Sequence, residues 1–240
     1  MSVYGNSSIQ WETSNQIDMG IDLGFFNNRI IFTADYFRKI TSNMLTQEPI
    51  PPSGGSVEPA WVNKGKILNS GVEFELSVKQ AYEHGGVSVS GVMAILNNKV
   101  LELDAPISGG RIDNSVYATL TEVGYPVGSF YLYEMEGIFQ NNIDIITHAY
   151  QGDKIKPGDV MYKDQNGDGT IDEHDRIHVG SAIPDYTLGL NVSAQYKSFD
   201  FSLFGQGSYG NSIYYQIATD IEGFYRPFSV TQRYYDERWT

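Results

Sequence analysis

The 240-residue chain has no cysteine, which excludes a disulfide framework and a thiolate metal site. Basic residues are scarce: 16 Lys and Arg stand against 29 Asp and Glu, for a net charge of −13. Nucleic-acid binding needs clustered cations that displace counterions, so that class is set aside. The chain also lacks any run of about 18 apolar residues, and no segment reads as a membrane helix. At the N-terminus, residues 1–10 show no basic stretch followed by an apolar core, so no export signal is expected there. An exported protein of this sequence is therefore expected to be mature or a fragment. Charged residues overall reach only 19%, while aromatics reach 13%, with 17 Tyr and 12 Phe. That balance suits a polypeptide that meets an apolar surrounding.

A slightly negative mean hydropathy does not exclude a membrane, because a spanning barrel strand shows lipid with only every second side chain. Six segments alternate with period two, at 16–25, 29–38, 71–79, 87–97, 186–197 and 199–208. In the first, Ile17, Met19, Ile21, Leu23 and Phe25 oppose Asp18, Gly20, Asp22 and Gly24. The cleanest aqueous face is in the third, where Glu73, Glu75, Ser77 and Lys79 alternate with Val72, Phe74, Leu76 and Val78. Ile31, Phe37, Val92 and Phe204 interrupt the pattern in the others. Alternation by itself fits a soluble β-sandwich as well as a membrane wall.

The connections separate the two readings. Segments one and two join through Phe26-Asn27-Asn28, three and four around His84-Gly85-Gly86, and five and six at Ser198. The second reaches the third through 47–70, and the fourth reaches the fifth through 98–185. Short and long connections thus alternate, placing all turns at one end and all loops at the other, as in outer-membrane barrels with periplasmic turns and extracellular loops. Phe25, Phe26, Tyr82, Tyr196 and Phe199 gather near the turns, where an interfacial girdle is expected. The expected fold is all-β: a partial antiparallel transmembrane β-barrel of about six long strands. Since the smallest closed barrels have about eight strands, residues 1–240 are expected to be an incomplete barrel domain.

Within the 98–185 loop, the stretch 164–175 has the spacing of a calcium-binding EF-hand loop. Asp164, Asn166 and Asp168 fall at positions 1, 3 and 5, Gly169 at the sharp-turn position, and Thr170 offers its carbonyl at 7. Asp172 at position 9 acts through water, and Asp175 takes position 12, where a bidentate Glu is usual. The expected role is a structural Ca2+ stiffening an exposed loop, with an ion-free Asp/Gly-rich turn as the alternative. Calcium is favoured over magnesium, which keeps its waters and needs a smaller cage.

Other motifs carry no chemistry. Gly205-Gln206-Gly207-Ser208-Tyr209-Gly210 matches a dinucleotide pattern, but it lies in an alternating strand and opens no helix. His174 and His178 are four apart without the intervening glutamate of a zinc motif. Glu73 and Glu75 share a strand face and read as a water-facing wall. No catalytic set emerges, and no enzyme is expected.

Several segments resemble the SusC/RagA family of TonB-linked outer-membrane proteins from Bacteroidota. They are 11–22, Asn28-Arg29, Ala34-Asp35-Tyr36-Phe37, Trp61-Val62-Asn63-Lys64-Gly65, Asn69-Ser70-Gly71-Val72-Glu73-Phe74, and Gly158-Asp159-Val160 leading into 164–172. Ile183-Pro184-Asp185-Tyr186, Gly189-Leu190, Phe201-Ser202-Leu203-Phe204 and Glu237-Arg238-Trp239-Thr240 continue the likeness. The resemblance implies a barrel of about 22 strands with an N-terminal plug, energised through TonB and lidded by a SusD-like surface lipoprotein. Its cargo is mainly glycans, sometimes peptides. It also implies that this chain is a later segment of the barrel, without the plug, the TonB-contacting part or the closing strands. Glu73, Glu75, Asn191 and Gln195 would then line the passage. The alternative is a soluble, calcium-stabilised β-sandwich for glycan binding or adhesion, with Trp61 and tyrosines stacking on sugars.

Overall fold

A computed structural model describes residues 6–47, 61–112, 116–222 and 230–239. The chain begins with two long hairpins, β1 (Thr13–Phe25) with β2 (Ile30–Gln47) and β3 (Trp61–Tyr82) with β4 (Gly85–Glu102). Phe26, Asn27 and Asn28 all take left-handed φ of 53° to 61°, a region where Asn is better tolerated than most residues. Next come β5 (Ile107–Arg111), β6 (Tyr117–Thr121), β7 (Ser129–Tyr133), β8 (Met135–Ile138), α1 (Asn142–Thr147), β9 (Val160–Tyr162) and β10 (Arg176–Gly180). A third hairpin, β11 (Tyr186–Tyr196) with β12 (Phe199–Tyr209), precedes α2 (Gln216–Glu222) and α3 (Gln232–Glu237).

The three hairpins form one antiparallel sheet, ordered β1-β2-β3-β4-β11-β12, that stays open at β1 and β12. Its register stacks residues of one kind in rows. One row reads Ile21, Ala34, Phe74, Met93, Leu188, Gly207, and the next reads Leu23, Phe32, Leu76, Gly91, Leu190, Gly205. A one-residue slip would move every such side chain to the other face, so this pattern fixes the pairing. On the opposite face, Asp22, Thr33 and Glu75 share a row, as do Asp35, Glu73 and Thr187.

Among the described residues, no second layer covers the apolar rows. Met19 is 66% exposed, Phe201 58% and Leu188 48%. A soluble sandwich buries those side chains, so the sandwich alternative fails on this sheet. The strands also outrun their alternating stretches: β2 continues to Gln47, β3 starts at Trp61, and β4 runs on to Glu102.

The chain divides into two compact units, and the six-stranded sheet belongs to the first. In the second, a four-stranded sheet is ordered β10-β7-β6-β5, with β8 and β9 paired beside α1 in sequence. Phe139 and Ala118 are buried there. Arg176 ties three segments together: its guanidinium donates to the Tyr117 and Tyr131 carbonyls and lies 4.7 Å from the Tyr131 ring centroid.

Candidate functional site: a two-faced wall and an acidic loop

The first site is the wall itself. Its apolar face is bounded on β3 to β12 at the turn end by the row Tyr82, Gly85, Tyr196, Phe199, and on β11 and β12 at the loop end by Tyr186 and Tyr209. The Tyr186 and Tyr209 rings stack at 4.9 Å between centroids. Phe199 is 79% exposed. Aromatic rows at both ends of an apolar band are what two membrane interfaces select.

The other face is hydrophilic apart from Ile31, Phe37, Val92 and Phe204, and it is internally bonded. Thr33 Oγ1 donates to Asp22 at 2.7 Å, Gln16 Nε2 to Asp18 at 2.9 Å, and the Ser88 and Ser193 hydroxyls lie 2.7 Å apart. Charge is unevenly spread on it. Asp18, Asp22, Asp35, Glu73 and Glu75 sit with Lys79 on β1 to β3, whereas Ser90, Asn191, Ser193, Ser202 and Gln206 line β4, β11 and β12 together with Asp200. Glu73, Glu75, Asn191 and Gln195, expected to face a passage, all lie on this side. Such a wall can pass or hold a hydrated solute; it makes and breaks no bonds.

The second site is the loop 164–175, folded by its own side chains. Asp164 accepts N–H bonds from Gly167 at 2.7 Å and Gly169 at 2.8 Å, Asn166 Oδ1 from Asp168 at 2.8 Å, and Asp168 Oδ1 from Thr170 at 2.8 Å. Gly167 and Gly169 take left-handed φ of 75° and 84°. Asp172 caps a 3-10 turn at Glu173–Asp175 by accepting from His174 N–H at 2.8 Å. Asp175 is fully buried and accepts from Gln165 N–H at 2.9 Å and Asp172 N–H at 2.8 Å. Those amides, Asp172's foremost, hold its carboxyl below the usual carboxylate range against the opposing effect of burial.

The oxygens of Asp164, Asn166, Asp168 and Asp172 keep further lone pairs, whereas the buried Asp175 carboxylate is taken up by the Asp172, Gln165 and Asn166 amides and by Asp164; no Lys or Arg ion pair neutralises the loop carboxylates among the described residues. That donor chemistry suits a hard cation. In this arrangement, however, no three His, Cys, Asp or Glu side chains among the described residues stand together as metal ligands. The loop is braced from outside its own sequence. Tyr150 bridges Thr170, with Tyr150 N–H to Gly169 O and Ile171 N–H to Tyr150 O both at 2.8 Å. Gln165 donates to Glu134 at 2.6 Å, and Lys163 pairs with Glu134 at 3.2 Å. The Gln165 amide and then Lys163 lower the Glu134 carboxyl. Neither Tyr150 nor Glu134 was visible as a loop partner in the sequence, because nothing local marks a contact so far along the chain.

The decoys resolve simply. His178 Nδ1 meets the Ser129 hydroxyl at 2.8 Å, but Ser129 is buried and also donates to Leu120 O. The glycine-rich stretch lies within β12.

An antiparallel sheet with an uncovered apolar face, aromatic rows at its ends and a hydrophilic reverse face defines the class: the wall of a membrane β-barrel. The chain belongs to the TonB dependent receptor-like, beta-barrel family, whose model matches residues 2–234. Within it, the chain is of the SusC/RagA type. It is 31% identical over 218 residues to TonB-dependent receptor P3 of Formosa agariphila, covering 88% of this chain and 22% of that protein. To TonB-dependent receptor SusC of Bacteroides thetaiotaomicron it is 29% identical over 226 residues, covering 90% and 21%. The RagAB peptide importer in its closed-closed state superposes with a TM-score of 0.67 at 23% identity, over 88% of this chain and 22% of that one. The chain therefore spans about a fifth of the length of the relatives it matches. Family members are outer-membrane receptors and transporters, not enzymes.

Proposed function

We propose that this chain forms part of the wall of a TonB-dependent importer in the outer membrane. Its apolar rows face lipid and its acidic and amide rows face a water-filled interior. The observation that carries this reading is the uncovered apolar band between two aromatic rows. From Tyr196 to Tyr186 is ten residues of β11, or ~33 Å of strand, which spans ~25 Å of height at a tilt of ~40°. The hairpins support a tilt of that size independently. Tyr82 at the second turn lies four residues beyond Val78, which shares the row of Phe25 at the first turn. The third turn adds no further stagger, since Tyr82 and Tyr196 share a row. If the turns end at one level, ~13 Å of stagger over ~19 Å of sheet width gives ~35°.

In this reading 103–185 lies outside the cell and meets a SusD-like surface lipoprotein, and the cargo is an oligosaccharide or a peptide. Similarity to SusC and to the RagAB peptide importer supports that class of partner and cargo. The energy would come through TonB contacting a plug-bearing N-terminal part of the whole receptor. The 164–175 loop would hold Ca2+ through Asp164, Asn166, Asp168, the Thr170 carbonyl, Asp172 and Asp175. Its donor spacing and the left-handed Gly169 support this. Calorimetric titration of the folded receptor with CaCl2, compared with Asp164→Ala, tests it, and no heat from either protein would remove the ion.

A chain without cysteine allows single-cysteine probes with no background. In intact outer membranes, a charged maleimide should label Asn191→Cys and Ser193→Cys but spare Leu190→Cys and Val192→Cys. Equal labelling of both sets would remove the barrel reading.

A further inference from the structure

Asparagine is followed by glycine at one place in the sequence, Asn166-Gly167 in the acidic loop. In such a pair the main-chain nitrogen reaches the preceding side-chain amide with no Cβ in its way. Attack of the Gly167 nitrogen on Asn166 Cγ would close a cyclic imide and expel ammonia. A folded chain promotes that step when the attacking N–H has an acceptor for its proton and the amide oxygen has a donor where charge builds up. The leaving nitrogen needs a partner as well.

The loop supplies all of these. Gly167 N–H donates to Asp164 Oδ1 at 2.7 Å, which stands where the proton must go. Asn166 Oδ1 accepts the Asp168 N–H at 2.8 Å, a donor already in place at the oxygen that becomes negative in the tetrahedral intermediate. Asn166 Nδ2 donates to Asp168 Oδ2 at 3.0 Å, so a carboxylate lies beside the departing nitrogen. Water has access, since Asn166 and Gly167 are both exposed and nothing lies within 4 Å of a Cβ at Gly167. Asn141 offers an internal contrast. Its Oδ1 also accepts main-chain N–H bonds, from Ile143 and Asp144, but Asn142 follows it and brings a side chain.

We propose that Asn166 is a site of spontaneous deamidation, promoted by the fold of its own loop. The Gly167 N–H bond breaks as the N–Cγ bond forms; the Cγ–Nδ2 bond then breaks, and Nδ2 leaves as ammonia with the proton that Gly167 gave up. Water opens the imide. Addition at Cγ leaves aspartate at 166, and addition at the main-chain carbonyl leaves isoaspartate, in which the chain runs through the former side chain. Either product puts a carboxylate beside Asp168 where an amide N–H now donates, so the loop loses that bond and gains a repulsion. The change is irreversible and accumulates with the age of the molecule. It rests neither on the importer reading nor on an ion. A cation held by Asp164, Asn166 and Asp168 would engage the same oxygens and slow the step.

The test holds the complete receptor, folded in detergent, with a chelator at mildly alkaline pH and samples it over days. After digestion, mass spectrometry and chromatography resolve the Asn, Asp and isoaspartyl forms of the peptides carrying Asn166 and Asn141. The same receptor denatured in guanidinium chloride gives the rate of the unstructured chain. Asn166 should convert at least about tenfold faster in the folded receptor than in the denatured one, and Asp164→Asn should lower the folded rate to about that of the denatured chain. Asn141 should stay asparagine. A folded rate at or below the denatured one overturns the proposal, as does a folded Asp164→Asn receptor that converts as fast as wild type, or an Asn141 that converts alongside Asn166. Should the variant not fold, the folded and denatured wild type decide alone. The chelator keeps the loop free of ions throughout, so a failure here leaves the calcium and barrel readings standing.

Discussion

The buried carboxylate of Asp175 reaches back across the loop to Gln165, accepting its N–H at 2.9 Å while its other oxygen takes the Asp172 N–H at 2.8 Å. One side chain thus closes the stretch 164–175 at both ends. Removing it in Asp175→Ala should leave two amides unpartnered and speed hydrogen exchange at Gln165 and Asp172. The pH dependence follows from the depressed folded-state carboxyl. Stabilisation is complete above the unfolded carboxyl's value and is lost as pH falls through the lower folded one. Protection of the two amides should therefore persist through the ordinary carboxylate range and collapse below it. Protection unchanged in Asp175→Ala would show that the loop does not depend on this residue.

The two-faced sheet was legible in the sequence because an apolar surrounding on one side and water on the other forces period two. Thus 186–197 anticipated β11 (Tyr186–Tyr196) almost residue for residue. Where both faces carry polar groups the signal vanishes. Asn63, Lys64, Lys66 and Asn69 belong to β3 yet read as loop, and Lys39, Thr41 and Asn43 belong to β2 yet lie past the end of its alternating stretch. Pairing with the neighbouring strand makes them strands, and pairing leaves no local mark. The strands β5 to β10 are three to five residues long, too short for a period. Their packing depends on contacts such as Arg176 on Tyr131, which span far more of the chain than any motif. The acidic loop was legible by spacing, but its outer brace at Tyr150 and Glu134 was not.

Gly158 has a φ of 99°, and a Cβ there would fall 2.8 Å from Trp239 Cε3. The indole N–H also donates to Gln140 Oε1 at 3.1 Å. Gly158→Ala adds both left-handed strain and a steric clash, so it should destabilise this unit by about 1–3 kcal/mol. Trp239 emission should move to the red as the ring is displaced. Emission and melting temperature both unchanged would show that the ring does not hold the glycine in place.

The turn after β1 carries three consecutive left-handed residues. Asn28 has a second task, since its Oδ1 fills the space above Gly24, which makes Asn27 the cleaner probe. Asn27→Gly removes the side-chain penalty and should stabilise the hairpin by about 0.5–1 kcal/mol. Asn27→Val should destabilise it by about 1–2 kcal/mol. Refolding yields of the receptor into detergent should rank Gly above Asn above Val, and an inverted ranking would mean that the turn adopts another conformation.

Val192 and Ser193 are adjacent on β11 yet belong to opposite environments. Val192 shares the apolar row of Val78, Val89 and Leu203, while Ser193 pairs with Ser88 and Ser202 on the hydrophilic face. In hydrocarbon an arginine cannot be solvated, and near the midplane of a barrel wall it costs about 2–4 kcal/mol. On the interior face its charge stays in water, in the row of Ser88 and Ser202. Val192→Arg should therefore lower stability by about that amount in denaturant titrations of the vesicle-inserted receptor. Ser193→Arg should change it by less than about 1 kcal/mol. A wall wetted on both sides would tolerate both substitutions, and a sheet inverted relative to the membrane would exchange their effects.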